Sequence, residues 1–292
     1  MVNFPVFFRS SFQLFPMIPN LLTIAGVDPS GGAGVFADLK TFSALGAYGT
    51  GVIAALTAQN TQGVTGVQPV PVAFIVQQID TLFADVRIDA VKLGMLGDAA
   101  TVTTVADGLR RHHVRRLVVD PVMVAKSGHH LLAREAVDAL CREILPLAEV
   151  LTPNLPEAAV LLGNRPAPRT LDEMRDAARA LRALGPRIIM LKGGHLDGPE
   201  SIDIVDDGRA QYELRAPRVS TKNTHGTGCT LSAAIAALLP HASDPIDAIR
   251  AAKDYISKAI AASGQLDVGH GHGPVHHFHA LWLRCGCGCS PS

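Results

Sequence analysis

The chain has 292 residues, and its 26 basic side chains balance 26 acidic ones, so the formal net charge is zero. A neutral chain gives no electrostatic reason to expect a nucleic acid or an anionic membrane as the main partner. Apolar residues make up 48% of the sequence, yet no run reaches the roughly 20 apolar residues of a membrane-spanning helix. The composition therefore predicts a soluble globular protein with a large core.

Both ends of the chain differ from the rest of the sequence. The first 16 residues are rich in phenylalanine, and their one basic residue, Arg9, follows the apolar cluster, unlike the basic start of a signal peptide. Residues 284–292 hold a C-x-C-x-C run, which lacks the paired C-x₂-C spacing of a structural zinc site, so a frayed terminus is favoured over metal binding. We predict that residues 1–16 and 284–292 flank one domain at 17–283. Cys141 and Cys229 alone make no disulfide framework there, which predicts a cytoplasmic protein.

From Asn20 onward, short apolar runs alternate with amphipathic stretches. The apolar runs predict strands at 21–25, 52–57, 90–95, 116–119, 150–151 and 187–191. Helical spacing predicts helices at 34–45, 74–83, 102–109, 135–144, 171–184, 228–239 and 246–262. Residues 201–205 and 211–214, joined by a tight turn, predict a β-hairpin.

The alternation of strands and helices predicts the fold class. Strands without polar alternation are buried on both faces, as central parallel strands are. Regular alternation of β and α elements implies right-handed crossovers between parallel strands. The sequence therefore predicts an α/β protein with one doubly wound, mostly parallel sheet, flanked by helices and extended by a small β-hairpin.

Glycine-rich and polar segments follow the predicted strands. In a doubly wound sheet, ligands bind at the carboxyl ends of the strands, so these segments should meet at one edge. They lie at 26–34, 59–63, 94–97, 120–128, 152–157, 192–194 and 222–229.

Two common nucleotide-binding motifs are tested against the sequence and rejected. No Gly-Lys dipeptide occurs, which excludes a Walker A loop. Residues 32–37 match the G-x-G-x-x-A pattern of dinucleotide-binding proteins, but the next predicted strand ends in Ala58-Gln59-Asn60, without the carboxylate that would bind a ribose. A dinucleotide site is therefore disfavoured.

The segment Thr224-His225-Gly226-Thr227-Gly228-Cys229 gives a stronger signal. Its glycines open a long apolar helix, where successive backbone N–H groups can hold an anion such as a phosphoryl group. Cys229 falls in the first turn, where the helix should lower the pKa of its thiol. The alternative is a glycine turn followed by a small buried cysteine.

Two carboxylates, Asp120 and Glu157, follow neighbouring predicted strands and could hold Mg²⁺. The alternatives are a turn-capping residue for Asp120 and a first-turn helix residue for Glu157. Lys192 and Lys222 are candidate phosphate contacts, although single lysines are commonly surface residues.

Five histidines lie between residues 270 and 279. They could suggest a metal site, but carboxylate and cysteine partners at ligand spacing are missing. A polar loop that packs beside the active site is the favoured interpretation.

Taken together, these motifs resemble those of the hydroxymethylpyrimidine/phosphomethylpyrimidine kinases of thiamine biosynthesis, within the ribokinase-like superfamily. The resemblance covers about residues 18–282 in unbroken order. The segments that carry it are 24–34, 37–42, 57–61, 92–96, 120–128, 152–157, 192–195, 222–230 and 269–277.

The resemblance implies a ribokinase-like fold and a two-step reaction. ATP, with Mg²⁺, would phosphorylate the hydroxymethyl group of 4-amino-5-hydroxymethyl-2-methylpyrimidine and then phosphorylate the resulting monophosphate. By the same resemblance, the pyrimidine pocket would be lined by Gly26, Asp38, Gln59, Met95 and Val122.

The resemblance also implies roles for the remaining candidates. Most ribokinase-like sugar kinases carry Asp where this chain has Cys229, so the thiolate would accept the alcohol proton beside the amides of Gly226, Thr227 and Gly228. ATP and its phosphates would contact Asn154, Lys192, Lys222 and Thr224, and Mg²⁺ would bind Asp120 and Glu157. A homodimer is expected by analogy alone.

Two other functions stay open at this point. A pyridoxal or pyridoxine kinase would phosphorylate a similar hydroxymethyl heterocycle on the same fold. A non-catalytic protein that binds a thiamine precursor is the alternative of a different class, but it would have no use for phosphate and Mg²⁺ ligands.

Overall fold

Nine strands form one sheet in the computed structural model, which describes residues 17–123, 134–194 and 196–282. Along the sheet the order is β3-β2-β1-β4-β5-β6-β7-β8-β9. The strands are β1 (Asn20–Val27), β2 (Tyr48–Gln59), β3 (Val64–Pro69), β4 (Ala90–Leu93), β5 (Leu117–Val119), β6 (Val150–Leu151), β7 (Ile188–Leu191), β8 (Glu200–Asp206) and β9 (Gln211–Pro217). The predictions for residues 1–16 and 284–292 lie outside the described residues, as do 124–128 and His195.

Eight α-helices connect or follow these strands in the described part of the chain. They are α1 (Gly34–Ala44), α2 (Val72–Phe83), α3 (Ala99–Arg111), α4 (Arg134–Ala139), α5 (Leu155–Leu161), α6 (Leu171–Arg182), α7 (Thr227–Leu238) and α8 (Pro245–Ala261). A π-helical turn, Leu140–Ile144, continues α4. Within these residues, no helix is both long and apolar enough to cross a membrane.

The six strands from β2 to β7 in the sheet order run parallel, and the strands outside them are antiparallel. The predicted doubly wound α/β fold with an added hairpin, β8–β9, is confirmed. The chain winds from β1 to β2 on one side and returns to β4 on the other, so the winding direction switches between β1 and β4. In such sheets the crevice outside the strand ends at this switch is the usual ligand site.

Two hydrophobic cores cover the two faces of the sheet. Helices α2, α3, α5 and α6 pack on one face, and α1, α7 and α8 pack on the other. Strand residues alternate between the cores, as Leu21 and Leu22 do at the start of β1. Helix α7 is buried from Thr230 to its end, and its alanines at 233, 234, 236 and 237 are fully buried. The packing of this helix therefore positions its partly exposed N-terminus.

Candidate active site

A cavity of about 800 Å³ lies along the carboxyl ends of the parallel strands. One part, here called the β1 lobe, is lined by Gly26, Gln59, Met95 and Val122. The other part, the β8 lobe, is lined by Ser201, Asp203, Val219, Lys253 and Ile256. The N-terminus of α7 lies on the cavity wall, as do the polar ends of β5, β6 and β7. The strand-end segments that the sequence predicted to meet therefore share one cavity.

The N-terminus of α7 begins at Gly226, whose φ of 72° is left-handed. A Cβ atom at this position would lie 1.7 Å from the carbonyl oxygen of Gly32, so only glycine fits. The first intrahelical bond runs from the amide of Thr230 to the carbonyl of Gly226 at 2.8 Å. The amides of Gly228 and Cys229 precede that bond, in the positions where a helix N-terminus offers donors to an anion. Both residues line the cavity.

The environment of Cys229 differs from the prediction. Burial raises the pKa of its thiol to about 11, and Asp38 and Asp120 add to the effect. Lys92 and the amide of Gly34 oppose it but do not outweigh it. The predicted lowering of this pKa is therefore wrong, because the loss of hydration is larger than the stabilisation from nearby positive groups.

Lys192, Asp120 and Glu157 form a charged cluster where β5, β6 and β7 end. The Lys192 ammonium donates to Asp120 Oδ1 at 2.9 Å and lies 4.0 Å from Glu157 Oε2. Burial raises the pKa of Glu157 to about 7, although Lys192 opposes this shift. Burial would lower the pKa of Lys192, but the two carboxylates outweigh it and raise that pKa. The cluster thus presents one fixed cation and two carboxylates to the cavity.

Asn154 is held in the cavity wall by the start of α5. Its side chain accepts from the amide of Glu157, and the Glu157 carboxylate accepts from the amide of Asn154, both at 2.8 Å. This reciprocal capping orients both side chains and satisfies two free N–H groups of the helix start. The first-turn placement considered for Glu157 is therefore observed, together with its place beside Asp120.

Asp38 does not line the cavity, although the resemblance implied that it would line the pyrimidine pocket. Asp38 is completely buried behind the β1 lobe, where it accepts from Lys92 at 2.9 and 3.0 Å and from Thr23 Oγ1 at 2.6 Å. Burial raises the pKa of Asp38, and Lys92 and Thr23 oppose that shift. In this structure Lys92 lines the cavity and Asp38 does not.

Asp28 joins the glycine-rich turn after β1 to the loop before α7. It accepts from Ser30 N at 2.9 Å and from Ala33 N at 3.0 Å, and it lies 2.7 Å from His225 Nε2. Burial would raise the pKa of Asp28, but the hydrogen bonds from His225 and Ser30 hold it below the usual value. One carboxylate therefore ties together two walls of the cavity.

The histidine-rich segment packs against the same loops. His225 N donates to the carbonyl of Gly273, and His272 N donates to the carbonyl of Thr61. Burial lowers the pKa of His277 to about 3, and its Nε2 lies 3.1 Å from Thr230 Oγ1 in α7. Within the described residues, no three His, Cys, Asp or Glu side chains converge as metal ligands. The segment serves the site as a packed neighbour of the α7 loop.

The two remaining phosphate candidates occupy different positions. Thr224 lines the cavity, and its carbonyl accepts from the hydroxyl of Thr227 at 2.8 Å. Lys222 is exposed and is not among the lining residues. Its carbonyl accepts from the amide of Thr224, so its backbone shapes the loop.

Several cavity residues were given no role by the sequence reasoning. Lys92 stands in an otherwise apolar strand, Ala90-Val91-Lys92-Leu93, and a lysine in such a strand must be paired when buried. A lysine within an apolar strand is therefore a pattern from which the sequence could have indicated Lys92. Asp28, His225, Asp203 and Lys253 carried no comparable signal, because their pairings join residues far apart in the sequence.

Comparison with known proteins places this chain in a family. A family model described as phosphomethylpyrimidine kinase matches residues 28–276. The hydroxymethylpyrimidine/phosphomethylpyrimidine kinase of Escherichia coli is 52% identical over 263 residues, which cover 90% of this chain and 98% of that protein. The chain belongs to the phosphomethylpyrimidine kinase family. The predicted resemblance is confirmed, and with it the expectation of a kinase.

Solved structures similar to this family member come from two kinds of kinase. A phosphomethylpyrimidine kinase from Clostridium difficile has 40% identity and a TM-score of 0.73, covering 83% of this chain and 99% of that one. The ADP complex of Bacillus subtilis pyridoxal kinase has 35% identity and a TM-score of 0.83, covering 90% and 99%. The TM-score is higher for the pyridoxal kinase, whereas the sequence identity is higher for the phosphomethylpyrimidine kinase. We give the identity more weight, because backbone shape is shared across the whole fold.

Proposed function

We propose that this protein transfers the γ-phosphoryl group of ATP to the hydroxymethyl group of 4-amino-5-hydroxymethyl-2-methylpyrimidine, and then phosphorylates the monophosphate. The observation that carries the proposal is the α7 N-terminus with its left-handed Gly226, which opens into one cavity between two lobes. Membership in the phosphomethylpyrimidine kinase family supports this substrate class.

The β1 lobe suits the aminopyrimidine. Gln59 offers an amide with both donor and acceptor atoms, which an aminopyrimidine edge can use, and its Oε1 accepts from Thr57 Oγ1 at 3.2 Å. Met95 and Val122 supply apolar surface for the ring faces. In this arrangement the hydroxymethyl group points toward Cys229 and the α7 amides, and the β8 lobe receives the nucleotide.

The charged cluster fits the phosphates of Mg-ATP. Mg²⁺ is commonly held by one or two carboxylates together with phosphate oxygens and water, and Asp120 and Glu157 are the two buried carboxylates beside each other here. The ion would neutralise charge on the phosphates when bound. Lys192, Asn154 and Thr224 line the same part of the cavity and contact the phosphates in this proposal.

Cys229 holds the proton-accepting position. Its pKa of about 11 makes the thiolate the minor form at neutral pH, but that thiolate is a strong base once formed. The positive charge of Lys92 and the amide of Gly34 favour its formation. Phosphoryl transfer passes through a loose transition state, so alignment of the alcohol with the γ-phosphate by the α7 amides contributes more than proton removal.

Phosphorus NMR of the products tests this function. The pyrimidine alcohol and Mg-ATP are incubated with the protein, and the expected spectrum shows a monophosphate that is converted to a diphosphate, with ADP formed at each step. A matched reaction with Cys141→Ala, a cysteine outside the cavity, should give the same spectrum. Pyrimidine binding by calorimetry without any ATP turnover would instead support a non-catalytic binding protein.

Pyridoxal kinase activity is the second candidate, and the overlay with pyridoxal kinases is the observation that favours it. ATP consumption with pyridoxal and with the pyrimidine alcohol, each at the same concentration, separates the two. We expect the pyrimidine to give the higher kcat/KM. A higher value with pyridoxal would reverse the assignment.

The homodimer and the cytoplasmic location stay predictions. Exposed apolar side chains on β2 and β3, at one edge of the sheet, are where a second copy would pack: Tyr48, Leu56 and Val67. Light scattering of the purified protein gives its mass and decides the first point. The free thiols of Cys141 and Cys229 are consistent with a reducing compartment.

A further inference from the structure

The turn after β7 carries Lys192, and a second charged pair lies directly behind that turn. Lys192 N donates to the carbonyl of Pro153 at 2.8 Å, which fixes the start of the turn to the end of β6. The next amide, Gly193 N, donates to Asp203 Oδ1 at 2.8 Å. The backbone on both sides of the Lys192 side chain is therefore tied to neighbouring strands.

The two carboxylate oxygens of Asp203 accept hydrogen bonds from two different donors, a backbone amide and a lysine. Its Oδ1 accepts from Gly193, and its Oδ2 accepts from the ammonium of Lys253 in α8 at 2.7 Å. Both residues are buried, with 3% and 7% of their surfaces exposed, and both line the β8 lobe. Lys253 also reaches Ser201 Oγ at 3.3 Å. The pair therefore connects α8, β8 and the Lys192 turn.

The Lys192 turn packs closely against β8. A Cβ atom on Gly193 would lie 1.8 Å from the carbonyl oxygen of Ile202, so the turn lies directly against β8. A shift of Gly193 would move the Lys192 backbone beside it and with it the ammonium that contacts Asp120. The position of the phosphate-binding lysine thus depends on Asp203.

Lys253 neutralises the charge of Asp203, which is a different role from holding the turn. An unpaired Asp203 carboxylate would place a negative charge in the lobe that receives the polyphosphate, and like charges close together in a buried site repel strongly. Lys253 cancels that charge without leaving a free cation. The pair therefore holds the turn and keeps the wall of the β8 lobe electrically neutral.

We propose that Asp203 and Lys253 are positioning residues for the phosphoryl donor: Asp203 holds the turn that carries Lys192, and Lys253 neutralises Asp203. The proposal rests on the proposed function, because it assigns the β8 lobe to the nucleotide. It predicts that the pair controls nucleotide affinity and leaves pyrimidine affinity almost unchanged.

Three variants test the proposal: Lys253→Met, Asp203→Asn/Lys253→Met and, as a matched control, Lys258→Met, which replaces an exposed lysine of the same helix. Lys253→Met leaves a carboxylate without its cation and should raise KM for ATP roughly tenfold. The double variant keeps an amide oxygen for Gly193 N and carries no charge, so KM should return to within about threefold of wild type. KM for the pyrimidine should stay within about twofold throughout.

ADP binding by titration calorimetry, without pyrimidine, gives the same comparison independently of turnover. An equal rise in both KM values for Lys253→Met would show a merely structural role and overturn the proposal. A double variant as weak as Lys253→Met would overturn the charge argument. If wild type binds ADP and Lys253→Met binds it equally well, this inference fails while the proposed function stands. If wild type binds no ADP, both fail.

Discussion

The cavity has a buried lysine–aspartate pair in the wall of each of its lobes, and the two pairs have different hydrogen-bond partners. In the wall of the β1 lobe, both carboxylate oxygens of Asp38 accept hydrogen bonds from Lys92, and the side chains of both residues are fully buried. In the wall of the β8 lobe, one carboxylate oxygen of Asp203 accepts from Lys253 and the other accepts from the backbone amide of Gly193. The first pair holds a cation in the wall near Cys229, and the second pair holds a turn of the main chain.

In the proposed function, the two pairs would control different steps. Proton transfer at the alcohol would depend on the charge near Cys229, so a fixed ammonium would be needed at that point. Nucleotide binding would depend on where Lys192 lies, so a fixed backbone would be needed in the β8 lobe. Four substitutions or titrations test this contrast.

The largest effect is expected at Cys229, where the two lobes meet. Cys229→Ala should lower kcat by about 10²–10⁴-fold, the range of general-base catalysis, with little change in KM for the pyrimidine. Steady-state kinetics with folding checked by circular dichroism measures this, and Cys141→Ala is the control. A folded Cys229→Ala variant within threefold of the wild-type kcat would make this residue a packing residue only.

The two ion pairs should differ in how much each contributes to the free energy of unfolding. Lys92→Met leaves Asp38 fully buried without its cation, and breaking such a pair costs about 3–5 kcal/mol of the free energy of unfolding. Lys253→Met should cost less, because Asp203 keeps its bond to Gly193 and the Lys253 side chain is 9% exposed.

Urea unfolding of both variants measures the difference, and Lys92→Met/Asp38→Leu should regain part of the loss because no unpaired charge is left. Equal losses for Lys92→Met and Lys253→Met would mean that the two pairs play the same structural part.

The requirement for Mg²⁺ should depend on pH through Glu157. Its pKa of about 7 means that the carboxyl is mostly protonated below that pH and must release its proton before it can bind a metal. The Mg²⁺ concentration for half-maximal activity should therefore be roughly tenfold higher at pH 6 than at pH 8.

Magnesium titrations at the two pH values measure this dependence, with ATP held constant. Glu157→Gln should need more Mg²⁺ at both values and should show no dependence on pH between them. A wild-type requirement that is equal at pH 6 and pH 8 would exclude Glu157 as a ligand.

The smallest effect is expected at Lys222, which is exposed and outside the cavity lining. Lys222→Ala should change KM for ATP by less than about threefold, since exposed charges contribute little. Lys192→Ala, by contrast, removes a buried ammonium that contacts Asp120 and should raise KM far more. Comparable losses in the two variants would show that Lys222 moves into the cavity when the nucleotide binds.

The sequence predicted the order of strands and helices well, because the patterns that predict these elements are local. Apolar runs identified the parallel strands, and the hairpin turn at 206–208 identified β8 and β9. Strand β3 was missed because its exposed residues alternate weakly, and α5 was missed because two prolines surround its start.

The candidate residues at strand ends line the cavity for the same reason, since position in a strand predicts position at the edge of the sheet. Burial was not predictable in this way. The raised pKa of Cys229 and the place of Asp38 behind Lys92 depend on side chains from distant segments that exclude water together. Sequence motifs identify which residues meet, but they do not give the solvation of the group they form.

The buried alanines of α7 have a consequence for mutational scanning of this enzyme. They touch no ligand in the proposed mechanism, yet their small size lets the helix lie between the sheet and α8, where all four are fully buried. A larger side chain at 233 or 237 would push the helix along or away from the sheet and displace the amides at its start. A survey of single substitutions scored by activity should therefore rank these alanines beside the proposed ligand-binding residues, although their positions alone would class them as ordinary core residues.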